Sequence, residues 1–240
     1  MIIGGFQRFS LIDYPDKICA IVFTQGCNFR CPYCHNPELV DPKKFGIELK
    51  EDEILSFLGR RKGKLNAVTI TGGEPLLQTD LSPFLSAIKR LGLDTNGSFP
   101  SRLKKIIALE SVDYVAMDIK TSLAKYPQVI KTKIDTRKIL DSIRLIMDSG
   151  LDYEFRTTIV KALFEKDDFY KIGQLIKNAR FYKIGQLIKN ARLYVLQKFV
   201  PSKTLDDTFL DMKSCTDEEL DCFKEIMDGF VQRCIRTRLF

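Results

Sequence analysis

The sequence holds a single histidine, His35, and it follows directly on a cysteine. That scarcity works against a structural zinc site. Such a site takes four ligands, usually as two separated pairs, and a ring next to Cys34 is poorly placed to close the same tetrahedron. No apolar run approaches the roughly 20 residues needed to span a bilayer, so no membrane association is expected. The opening segment, MIIGGFQRFS, has no basic stretch leading into an apolar one, so no signal peptide is expected and the cytoplasm is the expected location. No low-complexity linker divides the 240 residues, which predicts one domain over 1–240. The seven cysteines are an odd number with three crowded into one loop, which reads as metal binding or catalysis rather than a disulfide frame. The formal net charge is +7, but the basic groups Arg60, Arg61, Lys62 and Lys64, then Arg233, Arg236 and Arg238, carry no interleaved aromatics. They read as a solvated helix end and a basic tail, and nucleic acid is not an expected partner. A patch steering an acidic protein partner or reductant is the functional alternative.

Against these absences stands residues 24–37, TQGCNFRCPYCHNP, with Cys27, Cys31 and Cys34 spaced C-x3-C-x2-C. Gly26, Pro32 and Pro37 favour turns, and a loop that folds back can aim three sulfurs at one point. Thiolates select zinc, copper(I) or iron–sulfur clusters. A [4Fe–4S] cluster normally takes four cysteines, so three would leave one iron open for a substrate or cofactor. A structural zinc loop or buried free thiols is the alternative.

Short apolar segments recur between amphipathic ones. The segments 17–24, 66–71, 112–120, 153–160 and 193–200 read as strands, and 50–61, 80–91, 100–109, 135–149 and 216–232 as helices, with a further helical region opening at Asp167 and Asp168. Thr216 with Glu219 forms a capping box. Residues 6–16 read as an irregular lead-in with a turn at Asp13-Tyr14-Pro15-Asp16. Leu91-Gly92-Leu93 runs almost directly into Asp94, so a further strand there is short or shifted. About six strands alternating with helices predict an α/β fold, a partial (β/α)6 barrel with a parallel sheet and outer helices. FYKIGQLIKNAR occurs at 169–180 and again, identically, at 181–192. Twelve residues advance a helix by three turns plus about 120°, so one straight helix cannot bury both apolar stripes on the same sheet. One copy is expected to pack. The second joins directly to the following strand, while the first has the acidic start.

Three further motifs sit where strands run out, which is where parallel α/β folds place their chemistry. Gly72-Gly73-Glu74-Pro75 combines a close-approach backbone with a carboxylate that can accept from a cation. Asp94 and Asn96 in LDTNG can hydrogen-bond hydroxyls, or simply form a turn. Asp118 and Lys120 in MDIK lie on one side of a strand end, as functional groups or a structural ion pair. Arg156, inside an otherwise apolar strand, needs an anion. A ligand carboxylate and Asp118 are the candidates.

SLIDYP, FTQGCNFRCPYCHNPEL, TGGEP, LDTNGS, AMDIK, YEFRTT and YVLQKFVPSKTLD together resemble the radical S-adenosylmethionine (SAM) enzymes that activate glycyl-radical enzymes. Within these, they are most similar to activating proteins of anaerobic ribonucleoside-triphosphate reductase, over residues 4–232. The resemblance implies a [4Fe–4S] cluster on Cys27, Cys31 and Cys34. It implies a SAM pocket lined by Gly72, Gly73, Glu74, Asn96, Asp118, Lys120 and Arg156, with the main chain near Tyr33 approaching adenine. Reductive cleavage of SAM would give a 5′-deoxyadenosyl radical that takes a hydrogen from a backbone glycine of the reductase. The implied partners are that glycyl-radical protein and a flavodoxin- or ferredoxin-type electron donor. A radical SAM enzyme acting on a small molecule, such as a deazapurine synthase, an activase of another glycyl-radical enzyme, and a non-catalytic iron–sulfur or zinc module are the competing readings.

Overall fold

The computed structural model describes residues 1–88, 90–178 and 191–237. Its framework is one eight-stranded sheet with the strands in chain order. They are β1 (Ile3–Ser10), β2 (Cys19–Thr24), β3 (Ala67–Gly72), β4 (Leu91–Thr95), β5 (Tyr114–Asp118), β6 (Asp152–Ile159), β7 (Tyr194–Lys198) and β8 (Cys234–Thr237). β1 runs antiparallel to β2, and every later neighbouring pair is parallel. The connections carry helices α1 (Pro37–Val40), α2 (Glu51–Arg60), α3 (Leu81–Ser86), α4 (Pro100–Ala108), α5 (Tyr126–Ile130), α6 (Arg137–Asp148), α7 (Lys166–Asn178) and α8 (Asp217–Asp228). Strand order never reverses, so crossovers of one hand all fall on one face and the sheet curls as a partial barrel.

The two faces are legible in the period-two pattern of β6. Tyr153, Phe155 and Ile159 are buried toward the helices, whereas Glu154, Arg156 and Thr158 face the hollow. The helix side is one continuous core that includes Val22, Ile70, Leu93, Met117, Phe155 and Leu196. The hollow is closed at its lower end by a smaller apolar group of Tyr14, Cys19, Ile21, Ala67, Tyr114 and Ala116, where the Tyr14 and Tyr114 rings lie 5.2 Å apart. Cys19 is thus a core thiol, and the upper end of the hollow is left to polar side chains.

Several expectations are corrected. The lead-in is the edge strand β1, hidden in the sequence because two register shifts and six partly or fully exposed residues blur any alternation before the turn at Tyr14–Lys17. The helix expected over 80–91 ends at Ser86, and Leu91 opens β4, where Leu91 to Leu93 pair with Val68 to Ile70. The last helix ends at Asp228 rather than 232, and part of the basic tail is β8, with Arg236 bonded to Asp221 at 3.1 Å. The sheet therefore has eight strands, the six expected ones plus one at each edge. The capping box at Thr216 and Glu219 is present with both hydrogen bonds.

The first copy of the duplicated segment packs. Phe169, Ile172 and Ile176 of α7 are fully buried, the Phe169 ring stacks on Phe223 of α8 at 4.2 Å, and Gly173 lies against Phe230. The second copy, apart from Ala191 and Arg192, lies outside the described residues. Because the copies are identical, deleting either yields the same chain, in which α7 keeps its acidic start and Ala179 takes the place of the buried Ala191. That deletion is expected to hold or raise the melting temperature and to reduce aggregation, since a shorter connection changes closure entropy by only ~1 kcal/mol or less. A chain unfolded by the deletion, as seen by circular dichroism, would show that both copies are structural.

Candidate active site

The loop carrying Cys27, Cys31 and Cys34 leaves the upper end of β2 and is pinned by its own backbone. Gly26 N donates to Leu39 O at 2.8 Å, and Glu74 N donates to Gly26 O at 2.9 Å. Arg30 N donates to Ile130 O at 2.8 Å, while its guanidinium caps the carbonyls of Cys27 and Phe29. The two glycines at the end of β3 have a specific reason to be there. Gly72 has φ +119°, and a Cβ on Gly73 would stand 2.0 Å from Gly26 O. The close approach that the sequence reading assigned to a ligand is made, in the first place, between this turn and the cysteine loop.

One cleft at the upper strand ends is lined by all the residues expected at the site: Cys27, Cys31, Tyr33, Cys34, Gly72, Gly73, Glu74, Asn96, Asp118, Lys120 and Arg156. Their surroundings differ from residue to residue. Glu74 is buried, and its carboxylate accepts from Thr95 Oγ1 (2.7 Å), Leu76 N (3.1 Å) and Asn96 N (2.7 Å). Burial pushes its pKa up to about 7 against those three donors. A carboxylate has about four acceptor positions, so one remains for a cation in the cleft. Asn96 is committed to a ring of side chains. Its amide donates to Asn28 Oδ1 (3.0 Å), Asn28 donates to Ser98 Oγ (2.9 Å), and Ser98 Oγ donates back to Asn96 Oδ1 (2.6 Å). That ring ties the cysteine loop to the end of β4. The Tyr33 ring is buried against Phe199 and Phe209.

The charged residues correct one expectation. Asp118 does not serve Arg156. It pairs with Lys120 at 2.7 Å, and although burial works against that ammonium, Asp118 holds its pKa well above the usual lysine value. Arg156 instead bonds Glu154, two residues back on the same strand, and Asp94 across on β4 at 3.2 Å. Burial raises the Asp94 pKa to about 6 even with Arg156 beside it, and Asp94 Oδ1 has no hydrogen-bond partner. Glu154, Asp94, Thr95, Asn28, Ser98, Thr158 and Gln197 are site-forming residues that the sequence reading left without a place in the pocket. Glu154 was within reach of it, since a carboxylate at i−2 shares the face of Arg156.

All three loop cysteines are free thiols, and burial raises the Cys27 pKa to about 12 and that of Cys31 to about 11. Neutral thiols with such pKa values become thiolates at neutral pH only when a metal cation takes the proton's place. Among the described residues no three His, Cys, Asp or Glu groups converge tightly enough to hold a single metal ion. Three sulfurs set around a cleft rather than around a point suit a polynuclear cluster better than one zinc ion, so the donor set fits an iron–sulfur cluster with one position open. His35 lies at the cleft's lining, and its Nε2 bonds Val200 O at 3.0 Å. Cys19 lies at the opposite end of the hollow, and Cys215, Cys222 and Cys234 belong to the α8–β8 region.

Fold and cleft together define an α/β enzyme of the partial-barrel class, with its chemistry at the carboxyl ends of parallel strands. The sequence pattern of the Radical SAM superfamily matches residues 21–175. The chain belongs to the radical SAM superfamily, whose enzymes use a [4Fe–4S] cluster and S-adenosylmethionine. A protein of Methanocaldococcus jannaschii named for glycyl-radical enzyme activation is 29% identical over 98% of this chain and 95% of its own length. The pyruvate formate-lyase-activating enzyme of Clostridium pasteurianum is 33% identical over 74% of this chain and 77% of its own. SuiB of Streptococcus suis, solved with S-adenosylmethionine, shares the fold over 91% of this chain at a TM-score of 0.64 and 14% identity, and the match spans about half (52%) of SuiB. A domain of a Bacteroides vulgatus pyruvate-formate lyase-activating enzyme shares it over 71% of this chain and 98% of its own at 0.54 and 15% identity. Among the described residues no helix is long and apolar enough to cross a membrane.

Proposed function

We propose that this chain activates a glycyl-radical enzyme, and that its target is anaerobic ribonucleoside-triphosphate reductase. When bound, the reduced cluster and S-adenosylmethionine supply a 5′-deoxyadenosyl radical able to take a hydrogen from a backbone glycine. Cys27, Cys31 and Cys34 hold the cluster. The free acceptor position of Glu74 takes the amino group of SAM, while Lys120, paired with Asp118, and Arg156, paired with Glu154 and Asp94, set the charge around its carboxylate and ribose. Asn96 positions the cysteine loop through Asn28 and Ser98. The apolar floor of Tyr14, Tyr114 and Ile21 keeps water out from below. The reaction would proceed in a reducing cytoplasm with a flavodoxin- or ferredoxin-type donor.

The observation that carries this reading is the single cleft uniting three free cysteines, the Gly72-Gly73-Glu74 turn and the charged ends of β4, β5 and β6. CHNP favours glycyl-radical activases over other radical SAM families, and the reductase is favoured by the resemblance of SLIDYP, TGGEP, LDTNGS, AMDIK, YEFRTT and YVLQKFVPSKTLD taken together. Pyruvate formate-lyase is the second reading, favoured by the names of several relatives. Incubating the reduced, reconstituted protein and SAM with each candidate partner discriminates the two. A glycyl radical, seen by electron paramagnetic resonance, is expected on the reductase and not on the lyase. The reverse pattern would reassign the target.

A further inference from the structure

The segment that leaves β7 does not return at once to the helix layer. Residues 199–209 cross over the cysteine loop and touch it repeatedly. Phe199 is fully buried, and its ring stacks on His35 at 5.4 Å with 6° between planes, while meeting the Tyr33 ring edge-on at 6.4 Å. Val200 O bonds His35 Nε2 at 3.0 Å. Lys203 pairs with Glu38, just beyond the loop, at 2.7 Å. Asp206 N donates to Pro32 O at 2.9 Å, and the Phe209 ring lies 6.5 Å from that of Tyr33. Every one of these contacts falls on residues 32–38, the half of the loop that contains Cys34 and adjoins Cys31. Cys27 is held from a different side, by Phe29 N and by Asn96.

The sequence supports a built strap rather than a chance crossing. Phe199 N is anchored to Ile159 O at the end of β6. Thr204 is buried and its hydroxyl donates to Asp206 O at 2.8 Å, while the Asp206 side chain caps the following turn through Thr208 N. These bonds hold the segment's own turns, and its two phenylalanines, Phe199 and Phe209, both close on Tyr33.

We propose that residues 199–209 are a positioning strap, which preassembles the Cys31–Cys34 half of the loop in the cofactor-free protein and shelters those two sulfurs from solvent. Phe199, Asp206 and Phe209 are its positioning residues, acting through Tyr33, Pro32 and His35. The inference rests on the cluster reading for its purpose, but its first test does not need the cluster.

That test is alkylation of each cysteine by iodoacetamide in the metal-free protein, followed by mass spectrometry, in the wild type, Phe209→Ala and His35→Ala. Cys31 and Cys34 are expected to react at least about tenfold faster in both variants, with Cys19 and Cys234 unchanged. The last two are buried at remote places in the sheet, so they report general loosening. His35 is only partly buried, and its replacement leaves the core intact, so it decides the matter if Phe209→Ala loosens the whole fold. Unchanged Cys31 and Cys34 in His35→Ala, or acceleration shared equally by Cys19, overturns the strap. A second readout is the half-life of the reconstituted cluster against an iron chelator, expected to shorten about tenfold in Phe209→Ala at unchanged initial iron content. An unchanged half-life would also count against the strap. A wild-type protein that takes up no iron would overturn the cluster reading while the alkylation pattern still judged the strap.

Discussion

Cys31→Ala is expected to take bound iron from about four atoms per chain to a trace, and release of 5′-deoxyadenosine to background. Cys31 lines the cleft and is 7% exposed, and the described residues offer no spare cysteine near it. Cys19 is at the far end of the hollow, and Cys215, Cys222 and Cys234 are on or beside α8 and β8. Loss of one sulfur from a cluster already short of a fourth leaves two anchored irons, too few to hold the cube. The same loss is expected for Cys27→Ala and Cys34→Ala, and none for Cys215→Ala or Cys222→Ala. Iron analysis and the visible absorbance of anaerobically reconstituted protein make the comparison. The fold itself should survive, because a thiol-to-methyl change removes a single sulfur from the margin of the core and leaves the strand pairing intact.

Arg156→Ala is expected to strike the fold as well as the site. Among the described residues Arg156 is the one cation bonded to both Glu154 and Asp94, and its side chain is 12% exposed. Removing it strands the buried Glu154 and the partly buried Asp94, against a cost of about 3–5 kcal/mol for a fully buried pair. For a chain of this length that corresponds to a fall in melting temperature on the order of 10 °C. The defect should depend on pH. The pKa of Asp94 is already raised to about 6 by burial, and losing Arg156 raises it further. A raised carboxyl pKa means that the folded state holds the proton more firmly than the unfolded chain, so its contribution is present at low pH and lost as pH rises through the folded value. Thermal melts at pH 5 and pH 8 should show the smaller loss at pH 5. Equal losses at both would mean that Asp94 is not left unpaired by the change.

The parts of the molecule that could be read in advance are those with a local cause. The cysteine loop declares itself by spacing, the β2, β3, β5, β6 and β7 segments by short apolar runs between amphipathic ones, and α8 by its capping box. Other parts have distant causes. β1 is a strand because β2 offers it an edge, and its glycines and bulges hide that in the sequence. β4 begins at Leu91 because Val68 to Ile70 are there to pair with it, overriding the helical pattern that continues through Ile88. The site shows the same division. Gly72, Gly73 and Glu74 are legible as a motif, yet their first partners, Gly26, Thr95 and Asn96, come from other strand ends. Arg156 demanded an anion from sequence alone, but which anion depended on the register that sets β6 beside β5 and Asp94 one strand further on. The duplicated segment could be recognised as a packing conflict, and α7 shows that the copy with the acidic start, Asp167 and Asp168, packs on the barrel, while residues 181–190 of the second copy lie outside the described residues.

The most direct measurement is the fate of S-adenosylmethionine on the anaerobically reconstituted, dithionite-reduced protein. If the three-cysteine cleft is a radical SAM centre, 5′-deoxyadenosine and methionine should appear in equal amounts, and should require both reductant and iron. Protein that binds about four irons per chain yet leaves SAM intact under these conditions would contradict the account.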